Sequence, residues 1–164
     1  MKPEIQSRSS VYVFRPGPEP RAAIRVARRF RASPRRVFDA WLDPAIAARW
    51  LFATATCPLA HAMIDARAGG SFHFLERRYG EDVNYRGEYT EVVPHRRLSF
   101  ILATDRDRRL VTRVRVDVSP WKKDKSVLML MHQGVPRRHV SYAKARWIGM
   151  LYGLGATLDL LALS

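Results

Sequence analysis

Residues 24–50 read IRVARRFRASPRRVFDAWLDPAIAARW, from Ile24 to Trp50. Ile24, Val26, Arg28 and Phe30 alternate with Arg25, Ala27 and Arg29, the period of a half-buried strand, and the alternation extends back to residue 22. It stops at Ala32-Ser33-Pro34, where Ser33 is suited to cap a helix and Pro34 to occupy its first position, a site where the missing N–H costs nothing. Val37, Phe38, Trp41 and Leu42 then fall on one helical face, and Asp43-Pro44 repeats the cap-then-proline signal ahead of a second short helix over 45–50. A strand followed directly by two short helices is therefore expected.

Downstream the period returns to two. Alternating segments over 61–66, 71–76, 84–93, 97–103, 110–118 and 126–132 are separated by turn signals at Gly69-Gly70, Tyr79 to Asp82, Pro94-His95, Asp105 to Asp107 and Pro120 to Asp124. Segments joined by such short connections form an antiparallel meander. From Val140 to Leu163 the period becomes 3.6, with Trp147, Leu151, Leu154, Leu158 and Leu161 on one stripe. The fold class is α+β: a curved antiparallel sheet of about seven strands with a long C-terminal helix across its concave face, leaving room for a cavity between them.

The chain has 164 residues, 47% of them hydrophobic, which suits one domain with its own core. The organisation expected is a proline-rich leader over 1–21, with a possible edge strand at 11–14, and a single domain over 22–164. Lys and Arg number 29 against 15 Asp and Glu, a formal charge of +14, and 24 of the 29 are arginines dispersed along the chain. Such a charge attracts nucleic acid or an anionic membrane non-specifically, and no recognition-helix motif or aromatic-basic platform accompanies it. The single cysteine, Cys57, has no disulfide partner, and residues 1–14 show no signal-peptide pattern, so a cytoplasmic location is expected.

The run from Ile24 to Trp50 resembles the opening signature of proteins similar to the C-terminal domain of the heat-shock-protein-90 ATPase activator, within the START-like (SRPBCC) helix-grip superfamily. The resemblance extends through Asp65-Ala-Arg-Ala-Gly-Gly-Ser-Phe72, Arg86-Gly-Glu-Tyr-Thr-Glu-Val-Val-Pro94, Arg97-Leu98 and His132-Gln-Gly-Val-Pro136, and covers roughly 22–161. It departs before Trp147, where the family tends to show a His and a Gly and this chain has Ala143 and Arg146. The resemblance implies a helix-grip fold and a small hydrophobic ligand held between sheet and helix. Chaperone binding is not inferable from it for a lone domain.

Residues i and i+2 of a strand face the same way, which nominates an inward set. Trp50, Phe72, Phe74, Tyr89, Phe100, Val114, Leu130, His132, Trp147 and Leu151 are the candidate ligand-binding residues, and the same side chains would equally fill a solid core. His132 and Glu76 are weak candidates for a proton-transfer pair of a cyclase- or hydrolase-type reaction, against the simpler reading that Glu76 pairs with an arginine. His61, His73, His95 and His139 lie on different segments with no metal-binding spacing, so neither a metal nor a cofactor is expected. The expected partner is a small apolar molecule. Ile148, Met150 and Tyr152 would leave an apolar outer face on the last helix, suited to a homodimer contact or to an anionic membrane, although the segment falls short of the ~20 apolar residues of a span.

Overall fold

Ser33 and Asp43 start the two short helices as their positions predict. Ser33 Oγ accepts from the Arg36 N–H at 3.3 Å, and Asp43 Oδ1 accepts from the N–H groups of Ala45 (2.9 Å) and Ile46 (3.3 Å), satisfying donors that the first helical turn leaves free. The structure, a computed structural model, describes residues 19–53, 59, 61–105 and 107–164, with 107–109 in their backbone only. Cys57, the edge strand considered at 11–14 and most of the leader lie outside the described residues.

The elements run β1 (Arg21–Phe30), α1 (Pro34–Leu42), α2 (Pro44–Trp50), β2 (His61–Ile64), β3 (Ser71–Arg78), β4 (Glu81–Val93), β5 (Arg97–Thr104), β6 (Asp107–Lys122), β7 (Lys125–Pro136), a 3-10 turn over Arg137–His139, and α3 (Val140–Ala162). They form one antiparallel seven-stranded sheet in the order β1-β7-β6-β5-β4-β3-β2. β1 closes the meander against β7, with Val26 opposite Leu130 and Phe30 opposite Ser126. The buried Ser126 hydroxyl donates to the Ala32 carbonyl at 2.8 Å, which ties the end of β1 to the start of β7.

Several strands outrun their apolar alternation. At the β3–β4 connection only Tyr79 and Gly80 turn, both with positive φ (50° and 78°), as a two-residue hairpin requires; Glu81 and Asp82 already pair with Arg78 and Arg77. Polar residues there extend the ladder through cross-strand charge, Arg77 Nε reaching Asp82 at 2.9 Å. Asp65 and Arg67 are ion-paired at 3.0 Å in the turn after β2.

The core lies between the sheet and the three helices. Val37, Phe38, Ala40 and Trp41 of α1 face inward, Trp41 meets Trp50 edge-on at 4.7 Å, and Trp50 Nε1 donates to the Ala40 carbonyl at 3.1 Å. Trp147, Leu151, Leu154 and Leu158 of α3 are buried on the predicted stripe, while Leu161 is only half-buried near the fraying end. Met150, expected on the outer face, is buried: its sulfur accepts from the Phe52 N–H at 3.2 Å, while Ile148 and Tyr152 are exposed. Among the described residues no helix is long and apolar enough to cross a membrane.

Candidate functional site

His132 projects from β7 toward α3 and is nearly buried, with both ring nitrogens engaged. Trp147 Nε1 donates to Nδ1 at 3.0 Å, and an indole nitrogen can only donate, so Nδ1 carries no proton. The neutral ring must then be protonated at Nε2, which donates to Thr112 Oγ1 at 2.8 Å. Thr112 passes its own hydrogen toward the Leu102 carbonyl at 3.4 Å. Burial holds the imidazole down to about 4, so it is neutral at physiological pH.

That depressed value has a stability consequence whose sign is fixed. Below an ordinary histidine pKa near 6.5 the unfolded chain takes up a proton that the folded chain refuses until about pH 4. Stability should thus fall by about 2 kcal/mol between pH 7 and pH 5 on account of His132 alone. Urea unfolding at the two pH values checks this: His132→Gln, which can still accept from Trp147, should lose that share of the pH dependence.

Glu76 continues the inward face of β3 beyond Phe72 and Phe74 and is fully buried. Oε1 accepts from Arg78 Nη2 (2.7 Å) and Nε (3.1 Å), Oε2 accepts from the Tyr85 hydroxyl (2.8 Å), and Arg146 Nη2 lies 3.7 Å from Oε2. Arg78 Nη1 also donates to Tyr142 at 3.4 Å, and this guanidinium draws the Tyr142 hydroxyl below its usual range. Burial pushes the Tyr85 hydroxyl up. Because Glu76 gives its oxygens to arginines and Tyr85, and His132 gives its nitrogens to Trp147 and Thr112, the two do not form the considered proton-transfer pair.

A pocket of about 300 Å³ opens between the N-terminal half of α3 and strands β3 to β7. Phe52, Val83, Leu102, Val135, Trp147 and Met150 supply its apolar wall, and Arg78, Arg146, Thr112 and His132 its polar one. Exposed His139 and Tyr142 stand beside its opening. Of the ten nominated residues, His132 and Trp147 border this space. Phe72, Phe74, Tyr89 and Phe100 surround instead a void of about 10 Å³, the size of one water probe at most. Trp50, Val114, Leu130 and Leu151 are packed in the core. The rings of Phe72, Phe74, Tyr89 and Phe100 meet at 5.3–5.5 Å around Phe72, which fills the middle of the grip. Among the described residues no cluster of His, Cys, Asp and Glu is placed to hold a metal ion.

The model of the family described as activator of Hsp90 ATPase homolog 1-like protein matches residues 31–159, and with them both short helices, the meander and most of α3. The chain belongs to this family. Among solved structures it is similar to protein CV1439 from Chromobacterium violaceum, at 25% identity and a TM-score of 0.74 over 82% of this chain and 96% of that one. It is also similar in fold to an AHSA1-like protein from Aeromonas hydrophila (19%, TM-score 0.71, 86% and 96%) and to a protein of unknown function, SA2116, from Staphylococcus aureus (11%, 0.76, 88% and 98%). A comparison with curated proteins finds no match.

The sequence pattern carries some of the remaining pocket residues and not others. Tyr142, Arg146 and Met150 recur at i, i+4 and i+8 on α3, but the stripe was read from apolarity, which discards an arginine in its middle. Arg78 lies two residues past Glu76 on the same strand face, a signal that was legible. Phe52 was not: it adopts φ 57°, rare for a bulky residue, and that turn lays its ring on Tyr85 at 4.3 Å and 7° between planes.

Proposed function

We propose that the protein binds a small, largely apolar molecule in the pocket under the N-terminal half of α3 and performs no chemistry on it. The observation that carries this reading is a space of about 300 Å³ with a mostly apolar wall; a second space of about 370 Å³, between β1 and α3, is lined mostly by polar groups, Arg28, Arg29, Arg31 and Asp159 among them. Pockets of ~300–1,000 Å³ with a few placed polar groups are what small-molecule sites look like. The runner-up, a cyclase- or hydrolase-type reaction, needs a free base, and His132 is fixed by Trp147 and Thr112 with its affinity for a proton reduced.

Native mass spectrometry of the purified protein, followed by organic extraction, tests the proposal. A stoichiometric apolar adduct, released by solvent, is the expected result. Protein that arrives empty and also fails to take up a neutral fluorescent naphthylamine would overturn it.

A further inference from the structure

The pocket's polar wall carries more positive charge than its structural role uses. Among its described lining residues are two guanidinium groups, Arg78 and Arg146, and no carboxylate. Glu76, the acid ion-paired with them, lies behind them with its side chain fully buried. Arg78 takes both hydrogen bonds to Oε1, whereas Arg146 stands at 3.7 Å from Oε2, outside hydrogen-bond range. Arg146 also makes one long bond to the Phe52 carbonyl (3.4 Å), lies 5.9 Å from the Tyr85 ring centre and interacts with the Tyr142 hydroxyl. Both side chains are only about one-fifth exposed, 20% and 19%. One carboxylate is thus shared between two guanidiniums, each about four-fifths covered, and the net positive charge borders the apolar space.

We propose that the bound molecule is an apolar body bearing a single carboxylate, which seats against Arg146 and Arg78 at the mouth of the pocket. This rests on the binding reading above and names its ligand class. A planar guanidinium matches a carboxylate in a two-point, charge-assisted contact, and an anion arriving there restores neutrality in a low-dielectric site. Tyr142 adds a donor: its oxygen already accepts from Arg78, which leaves its own hydrogen for the ligand, and its side chain is exposed at the opening. The apolar wall beyond, with Leu102, Val135 and Trp147, takes the body.

Titration calorimetry with decanoate and with decanol, which share one chain and differ in charge, tests the proposal. Wild-type protein should bind decanoate about tenfold or more tightly than decanol, and in Arg146→Gln the ratio of the two affinities should fall to about one. Lys123→Gln makes the same charge change at the far tip of the β6–β7 hairpin and should keep the preference, which separates a seated carboxylate from the general attraction of a +14 chain. Should Arg146→Gln not fold, Tyr142→Phe at an exposed position carries the test, with the ratio of decanoate to decanol affinity falling a few-fold. Equal affinity for the two ligands, a preference that survives in Arg146→Gln, or an equal loss in Lys123→Gln would each overturn the carboxylate assignment and leave apolar binding standing. Binding of neither ligand would overturn the pocket reading and the assignment with it.

Discussion

Gly87→Ala is expected to cost more than ~3 kcal/mol and to yield little folded protein. Gly87 lies in β4 with Phe72 on one side and Leu102 on the other. A methyl group there would sit 1.9 Å from the Ile101 carbonyl oxygen and 2.4 Å from the tip of Phe72. The oxygen belongs to the backbone of the neighbouring strand, so no rotamer relieves the clash and β4 and β5 would have to part. Phe72 has little room to yield, because its ring is held among Phe74, Tyr89 and Phe100. Gly149→Ala is the control: at this exposed position of α3 nothing lies within 4 Å of the added group, and a gain of up to ~1 kcal/mol from helix propensity is expected. Urea unfolding of both variants decides it, and a Gly87→Ala protein within ~1 kcal/mol of wild type would contradict the packing described.

Glu76→Gln is the second large effect. The substitution keeps shape and an acceptor for Tyr85, but removes the buried charge that is ion-paired with Arg78 and Arg146. Removing one partner of a buried ion pair costs ~3–5 kcal/mol, and the lower figure applies because the guanidiniums retain some water. Introducing Arg146→Met into the Glu76→Gln protein should return part of the loss, since one stranded charge is then gone. Additive losses in the double variant, measured by urea unfolding, would show that Arg146 and Glu76 are not coupled.

The fold was legible because local signals agreed. Ser33-Pro34 and Asp43-Pro44 mark two helix starts by capping chemistry that needs no tertiary context, and the strand alternation was matched by turn residues at each break. Element ends were less legible, because Arg77 with Asp82 and Lys122 with Lys125 extend ladders by cross-strand pairing, which a single strand's pattern does not carry. The site was legible only in part. Periodicity places Phe72, Phe74, Glu76 and His132 on the inner face, but whether that face is filled depends on ring size across strands: Phe72 occupies the space over Gly87 and closes the centre of the grip. This apolar space falls instead where α3 presents Ala143 and Arg146.

Ala143 gives the most direct test of the central claim, that this pocket is a binding site. It is small, half-buried and lines the open space, so Ala143→Phe should fill the pocket without disturbing the core beneath. A fluorescence titration with phenylnaphthylamine, a neutral apolar probe, is run on both proteins beside their thermal melts. The account predicts saturable one-site binding by wild type, its loss in Ala143→Phe, and melts that agree closely. Equal binding by the two proteins would contradict it.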